Sequence, residues 1–202
     1  MMETTKIDLK KEDKPYYTAK SVPSLHDFGA IDYITISGVS APMADLFTGS
    51  LEAIYPVAYT IKKYCKAEGN DFVVPKMEAY WWVESELPFD QVSREEWYWK
   101  IMIRMPEFVT TAHVEEAIQE VIEKKNTPLV NEVNHEQINE GKCAQILHIG
   151  SYEEEKPTLD ILYEFIEDNG LAINGYHREV YLSDPRKTAP DKLKTILRYA
   201  VK

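Results

Sequence analysis

The segment HREVYLSD, residues 177–184, carries side chains that could perform acid–base chemistry. Successive side chains of a β-strand point to opposite faces, so a strand here places His177, Glu179 and Tyr181 on one face. A buried carboxylate without a partner is costly, whereas an exposed one is ordinary. The sequence therefore leaves two alternatives open for Glu179. It is either an exposed carboxylate, or the floor of a pocket where it would bind a cationic ligand or act as a base.

All four tryptophans of the 202-residue chain lie in EAYWWVE (78–84) and EEWYWK (95–100). These stretches predict a β-hairpin with strands at about 77–84 and 97–105. Aromatic pairs across such strands either stabilise the sheet, by about 0.2–1 kcal/mol each, or form the wall of a ligand site. The thirteen tyrosines, against six phenylalanines, favour a partly wet cavity or interface, because tyrosine combines an apolar ring with a polar tip.

The register of this hairpin decides which tryptophans share a face. If Trp82 lies opposite Trp99, then Glu84 lies opposite Trp97, and the result is an aromatic wall with one carboxylate at its edge. We therefore expect these four residues to bind ligand, and Trp81 to belong to the core. If Glu84 and Glu179 both faced one dry pocket, one of the two carboxyl groups would hold a proton and supply an acid beside a base.

Composition excludes several classes of protein. The net charge is −11 and the 23 basic residues are scattered, so the chain lacks the positive surface that binds nucleic acid or anionic membranes. No apolar run reaches the roughly 18–20 residues that span a bilayer, and the first residues contain no apolar secretory-signal segment. The two cysteines, Cys65 and Cys143, provide no disulfide framework. We expect a cytoplasmic protein with reduced thiols.

The hydrophobic periodicity repeats one order of elements, strand–helix–strand–strand, at about 32–105 and again at about 143–201. This order predicts an α+β fold. Its tandem modules would form two antiparallel sheets with packed helices and enclose a ligand cleft between them.

The predicted organisation has two parts, a surface extension over residues 1–30 and a single domain over 31–202. Within the domain, modules at about 31–106 and 143–202 are joined by a helix-containing insertion, 107–142. The N-terminal part is predicted to lie on the surface because it is polar and rich in lysine.

Prolines and a glycine mark the predicted helices. Pro56 lies inside the apolar stripe of the first helix and is expected to break or kink it, or to open a new one. In the second module, Pro157 in the first turn and Gly170 beyond the end delimit a helix. Residues 112–125 have apolar side chains at helical spacing and predict a further amphipathic helix.

Four stretches resemble the GyrI-like family, a small-molecule-binding fold found in multidrug-sensing regulators: YPVAYTIKKYCKAEGNDFVVPKMEAYWW, WYWKIMIRMPEFV, ILHIGSYEEEKPT and HREVYLSDPRKTAPDKLKT. The resemblance covers about residues 31–201 and implies that Glu179 lies centrally in a ligand cavity. Regulators of this type also carry a DNA-binding helix-turn-helix. The residues before the first predicted strand are too few and too polar for one, so we expect a stand-alone ligand-binding domain.

The tryptophan-rich, stand-alone branch of this family is similar to hydrolases that open the cyclopropane ring of cyclopropanoid DNA-alkylating genotoxins. The resemblance implies that Glu179 takes a proton from the attacking water and that a tyrosine hydroxyl donates to the developing phenolate. Tyr55, Tyr152 and Tyr181 are the candidates for that donor. We place Tyr152 with Glu179 in catalysis and the other two in ligand binding, with the choice among the three left open. No cofactor is required.

Two main functional classes follow from these expectations. The first is a detoxifying hydrolase with Glu179 as general base. The second is a non-catalytic module that sequesters or senses flat aromatic, lipophilic or cationic molecules, with Glu179 as counter-ion. A weaker third possibility is an inhibitor of another protein, since the namesake of the family binds DNA gyrase. The five histidines show no metal-ligand spacing, so no metal site is expected, and the oligomeric state is open.

Overall fold

The computed structural model describes residues 6–124 and 127–202. Residues 1–5 of the predicted surface extension and residue 125, at the end of the predicted amphipathic helix, lie outside these ranges. The described residues form five α-helices, namely α1 (Leu9–Glu12), α2 (Lys14–Tyr17), α3 (Asp45–Ala67), α4 (Thr111–Lys124) and α5 (Lys156–Asp168). They form eight β-strands, namely β1 (Ser24–Asp27), β2 (Ala30–Val39), β3 (Glu78–Trp82), β4 (Tyr98–Arg104), β5 (Asn134–Asn139), β6 (Lys142–Ile149), β7 (His177–Tyr181) and β8 (Lys194–Ala200). The predicted α+β class is confirmed.

The eight strands belong to one antiparallel sheet with the order β1-β6-β8-β7-β3-β4-β2-β5. The prediction of two separate sheets is therefore wrong. Strand periodicity predicts which residues form strands, but the strand order depends on long-range pairing that no local pattern encodes. None of the helices in the described ranges is long and apolar enough to cross a membrane.

The chain divides into two compact units. Unit 1 comprises the described residues of 1–12, 31–75 and 81–138. Unit 2 comprises residues 13–30, 76–80 and 139–202. The boundary falls inside β3, whose first three residues belong to unit 2 and whose last two belong to unit 1.

Residues 13–30 are an integral part of unit 2, in contrast to the predicted surface extension. Tyr16 is fully buried, and its hydroxyl donates a hydrogen bond of 2.6 Å to Glu78. β1 pairs with β6 through four residues, from Ser24 opposite Gln145 to Asp27 opposite Lys142. The segment is therefore anchored by the buried rings of Tyr16 and Tyr17 and by this strand pairing, while its other residues stay exposed or half-buried.

In unit 1, α3 runs through Pro56 without interruption. The predicted break is therefore wrong, because buried side chains both before and after the proline hold the helix in place, including Ile54 and Val57. Near its start, Phe47 stacks on Trp81 and contacts the edge of Trp99, with ring centroids 5.4 and 5.2 Å apart. This aromatic contact forms the centre of the unit 1 core.

In unit 2, α5 has Pro157 in its first turn and is followed by Gly170 at φ 66°, as the sequence predicts. Its buried residues Leu162 and Ile166 pack against one face of β6 and β8, in a cluster that includes Leu197. Because Glu179 lies opposite Leu197 in the β7–β8 pairing, the carboxylate is on the face that α5 covers.

Candidate functional site

The chemistry-bearing groups of unit 2 converge on one buried cluster of Glu155, His177 and Glu179, which we call the carboxylate–histidine cluster. The Nε2 atom of His177 lies 3.2 Å from Oε1 of Glu179 and 3.8 Å from Oε2 of Glu155. The side chains of all three are almost nine-tenths buried or more, with exposed fractions of 12, 8 and 11% for His177, Glu155 and Glu179. Two carboxyl groups thus share one imidazole away from bulk water.

Strand alternation positions two members of this cluster. His177 and Glu179 are two residues apart on β7, so their side chains emerge on the same face and meet. The predicted shared face of these residues is therefore confirmed. Glu155 arrives from the other side, because it immediately precedes α5 at the end of the turn 151–155.

The turn that carries Glu155 is fixed by hydrogen bonds on both sides of it. Ser151 and Glu154 form a capping box, in which the Ser151 backbone N–H donates to Oε2 of Glu154 at 3.3 Å, and the Ser151 hydroxyl donates to the same oxygen at 2.9 Å. The buried imidazole of His148 contacts the Ser151 carbonyl oxygen at 3.0 Å and the Thr158 hydroxyl at 2.9 Å. Glu155 is therefore held in place by its neighbours rather than by its own charge alone.

Burial and mutual charge set the proton affinities in the cluster. Burial by itself lowers the pKa of His177, but its interactions with the neighbouring carboxyl groups of Glu155 and Glu179 outweigh burial and raise this pKa to about 9. Burial, followed by the charge of Glu179, raises the pKa of Glu155 to about 7, against the opposing effect of His177. At neutral pH the cluster therefore contains an imidazolium between two carboxyl groups, one of which titrates near that pH.

Two polar atoms of the cluster are buried without a hydrogen-bond partner, Oε1 of Glu155 and Nδ1 of His177. An unsatisfied buried polar group costs about 1–3 kcal/mol. Such groups are rare in folded proteins, and each calls for an explanation. Their concentration beside a buried carboxylate marks this cluster as a candidate functional site.

Aromatic hydroxyls surround the cluster. The Tyr152 ring meets the Tyr181 ring edge-on at a centroid distance of 5.7 Å. Burial, followed by the charges of Glu179 and Glu155, raises the pKa of Tyr152 to about 12. The Tyr199 ring lies 5.3 Å from the His177 ring, and its hydroxyl is 2.9 Å from that of Tyr163. The pKa values of Tyr152 and Tyr199 are both raised, so these two phenols keep their protons at physiological pH.

The same three residues could also approach a metal ion, since their nearest ligand atoms all lie within 4.8 Å of one another. Sequence spacing does not reveal this grouping, because Glu155 is distant in sequence and only the fold brings it close. A metal would have to displace the proton that the two carboxyl groups retain on the imidazole, since only neutral imidazole is a ligand. We therefore treat the cluster as a hydrogen-bonded acid–base group.

The tryptophans of unit 1 do not have the predicted register. Trp81 and Trp99 both contact Phe47, and Trp81 also meets the edge of Trp97 at 6.2 Å. Trp82 instead stacks on Tyr98, at 5.5 Å between centroids. The expectation that Trp82 and Trp99 share a face is thus wrong, and Trp81, expected in the core, is 5% exposed. A shift of one residue in pairing moves every side chain to the other face.

The remaining predicted ligand residues of unit 1 have different environments. Trp99 is fully buried and its indole N–H donates to the Ser40 hydroxyl at 3.0 Å. Trp97 is half-buried and donates to the carbonyl of Val92 at 3.2 Å. Tyr55 is half-buried on α3. Trp99 therefore has the contacts of a core residue.

Glu84 is exposed and accepts a hydrogen bond from Tyr98, which raises the pKa of that phenol. The hypothesis that Glu84 shares a dry pocket with the strand carboxylate is therefore wrong, because Glu84 follows the end of β3 in a solvated loop. The carboxyl group that does face Glu179 is Glu155. Sequence reasoning missed it because nothing in GSYEEE distinguishes it from Glu153 and Glu154.

A second buried charge network lies on the opposite face of β7. Arg178 donates to Glu78 at 3.0 and 2.6 Å and to Glu140 at 2.5 Å, and it also reaches the hydroxyls of Tyr16 and Tyr80. Its side chain is 1% exposed. Because Arg178 stands between His177 and Glu179 in sequence, this network anchors the strand that carries the cluster.

Comparison with known proteins is consistent with this arrangement of elements. The GyrI-like family, described as a small-molecule-binding domain, matches residues 46–202. No curated protein sequence matches the chain.

Among solved structures, an uncharacterized conserved protein from Listeria innocua is 34% identical, with a TM-score of 0.91, over 98% of this chain and 100% of the other. A protein from the same organism described as a hydrolase is 33% identical, with a TM-score of 0.86 and the same coverage. The C-terminal domain of EcmrR is 11% identical, with a TM-score of 0.56, over 89% of this chain and 96% of that domain. At that identity the last similarity shows the fold alone.

Proposed function

Because this chain belongs to the GyrI-like small-molecule-binding domain family, we propose that it is a hydrolase of small electrophilic molecules, with Glu179 as the general base. The carboxylate–histidine cluster is the observation that carries this proposal. It is a buried base, hydrogen-bonded to an imidazolium and lined by phenols. The relative from Listeria innocua described as a hydrolase, at 33% identity, supports hydrolysis over simple binding.

The substrate we propose is a cyclopropanoid, a flat aromatic compound with a cyclopropane spiro-fused to a cyclohexadienone. Ring opening forms a C–O bond between water and the cyclopropane CH₂ and breaks one C–C bond of the ring. The released electron pair moves through the dienone to its oxygen, giving a phenolate that becomes a phenol. The water proton passes to Glu179 and afterwards neutralises the phenolate, so the reaction consumes only water.

The residues around Glu179 suit this reaction. The side chain of Glu179 is 11% exposed, and a carboxylate in such a shielded position can accept a proton from a bound water. Tyr152 is the neutral donor we assign to the developing phenolate oxygen, because its pKa, raised to about 12, keeps its proton in place until negative charge appears. Its edge-on neighbour Tyr181 completes an aromatic wall against which a flat ring system can pack.

The test is to incubate the purified protein with a spirocyclopropyl-cyclohexadienone compound and to follow ring-opened product by liquid chromatography. We expect turnover by the wild type and a loss of about 10²–10⁴-fold in kcat for Glu179→Gln. The matched control is Glu167→Gln, which removes an exposed carboxylate of α5 and should retain wild-type kcat. Full turnover by Glu179→Gln would reject the base assignment.

The second candidate is a binding module for cationic molecules. It is favoured by the composition of the cluster, in which two carboxyl groups flank one imidazole and Glu155 loses its proton above about pH 7. A fluorescence titration that follows tryptophan or tyrosine emission, with the spirocyclopropyl-cyclohexadienone compound and with a lipophilic cation, distinguishes the hydrolase from the binding module. Saturable binding without formation of ring-opened product would reject the hydrolase and support the binding module.

A further inference from the structure

We infer that Glu155 is a positioning residue of this reaction, which takes over the hydrogen bond of His177 when Glu179 accepts the proton of water. The inference rests on the proposed function. It adds a second carboxyl group, outside the strand, to the groups that determine how strong a base Glu179 is.

The geometry provides one donor between two acceptors. Nε2 of His177 is 3.2 Å from Glu179, within hydrogen-bond distance, and 3.8 Å from Glu155, just outside it. A small rotation of the ring transfers the N–H from one carboxylate to the other. Glu155 is 6% exposed and one of its oxygens has no partner, so it has unused capacity to accept a hydrogen bond.

The transfer of the hydrogen bond to Glu155 keeps a counter-ion beside the buried imidazolium. While Glu179 is ionised, it is the counter-ion of the buried imidazolium. Once Glu179 holds the water proton it is neutral, and a buried imidazolium without a counter-ion is strongly disfavoured. An ionised Glu155, 3.8 Å from the imidazolium of His177, then serves as its counter-ion. Proton uptake by Glu179 therefore becomes easier.

Other ionisable groups face the cluster from each neighbouring element, but none replaces Glu155. β7 contributes His177 and Glu179, and the turn before α5 contributes Tyr152. β8 and α5 contribute the hydrogen-bonded phenols of Tyr199 and Tyr163, and Asp184, after β7, acts on Tyr152. Among these groups of the described chain, Glu155 is the second carboxylate within 4 Å of the imidazole.

One O–H bond of water breaks as its oxygen bonds to the substrate carbon, and the proton goes to Glu179. The N–H of His177 stays on nitrogen and changes its acceptor from Glu179 to Glu155. When Glu179 releases its proton to the phenolate product, the imidazole returns to its first acceptor.

The test measures kcat/KM against pH for the wild type, Glu155→Gln and Glu153→Gln. Removing the charge of Glu155 should lower kcat about 10–100-fold and should shift the acidic limb to lower pH, because the ionisation of Glu155, whose pKa is about 7, no longer contributes to that limb. Glu153→Gln removes an exposed carboxylate from the same turn and should leave the profile unchanged. Glu155→Asp keeps the charge and should restore much of kcat.

Histidine-labelled NMR titration provides a readout that does not need turnover. The midpoint of His177 should fall in Glu155→Gln, and circular dichroism reports whether the variant is folded. If Glu155→Gln does not fold, Glu155→Asp is titrated instead, and the midpoint of His177 should fall by a smaller amount. Wild-type turnover with an unshifted acidic limb in folded Glu155→Gln overturns the inference and leaves the proposed function standing. Absence of wild-type turnover overturns the proposed function, and with it the proposed change of hydrogen-bond acceptor from Glu179 to Glu155, whatever the NMR titration shows.

Discussion

The indole ring of Trp99 lies over Gly38, in the space where any other residue would carry its Cβ. The two residues are directly opposite each other in the β2–β4 pairing. A Cβ placed on Gly38 would lie 2.4 Å from Cζ2 of Trp99, closer than van der Waals contact allows. Glycine in this strand is therefore required by the tryptophan, which in turn is held by Phe47 and Ser40.

Gly38→Ala should lower the free energy of unfolding by about 1–3 kcal/mol, because the added methyl group overpacks a rigid aromatic contact. Urea unfolding followed by circular dichroism measures the change. Ser37→Ala, at an exposed position next to it, should change stability by less than about 0.5 kcal/mol. In the double variant with Trp99→Phe the cost of the alanine should shrink, and additive costs would argue against a direct clash.

Trp81→Ala and Trp82→Ala should differ clearly in stability although the residues are adjacent. Trp81 is buried against Phe47, so its truncation should cost about 3–5 kcal/mol. Trp82 is half-buried and stacks on Tyr98, so its loss should cost less than about 2 kcal/mol. Urea unfolding of the two variants compares them directly. Equal costs would contradict the two-faced arrangement of these rings.

Arg178→Met should destabilise unit 2 by about 3–5 kcal/mol, because it leaves Glu78 and Glu140 buried without their cation. The triple variant with Glu78→Leu and Glu140→Leu should recover part of that loss, since no unpaired charge remains. The measurement is thermal or urea unfolding of each variant. A triple variant as unstable as the sum of its single variants would show that the network is not coupled.

Stability should fall as pH rises through the titration of the carboxylate–histidine cluster. The pKa values of Glu155 and His177 are raised on folding, from 4.5 to about 7 and from 6.5 to about 9, so the folded state holds more protons than the unfolded state. The contribution of Glu155 is complete below about pH 4.5 and is lost through pH 7. That of His177 is complete below about pH 6.5 and is lost through pH 9.

The glutamine of Glu155→Gln does not titrate, so this variant keeps the stability that the wild type loses as Glu155 ionises. The free energy of unfolding of the variant, relative to that of the wild type, should therefore rise between about pH 5 and pH 8. The expected rise is roughly 1–3 kcal/mol, given about 1.4 kcal/mol per pKa unit. Urea unfolding at the two pH values measures it, with Glu153→Gln as the exposed control. A relative stability that falls instead would show that Glu155 is ionised and well paired throughout.

Local patterns predict the elements of this chain well, because each carries its own physical signal. Pro157, Gly170 and the apolar stripe between them define α5, and alternation in HREVYLSD places His177 and Glu179 on one face of β7. These features depend on residues that are close in sequence. The same reasoning fails where the outcome depends on partners that are far away.

The failures have one cause. The ring contacts of the tryptophan strands differ from those that the assumed register implies, so the faces of Trp81 and Trp82 are exchanged. Glu155 is one of three consecutive glutamates, and only its burial against His177, on a distant strand, distinguishes it. Tertiary packing also keeps α3 helical through Pro56 despite the local penalty.

The shared strand β3 has a consequence for the inheritance of this fold. The described residues alternate between the two units in six segments, which lie within 6–12, 13–30, 31–75, 76–80, 81–138 and 139–202, and one of the five crossings divides β3 between Tyr80 and Trp81. No single cut of the polypeptide releases either unit whole, and no single stretch of gene encodes one. The protein is therefore expected to be gained, lost or fused as one piece, and a shuffling event inside it would leave both units incomplete.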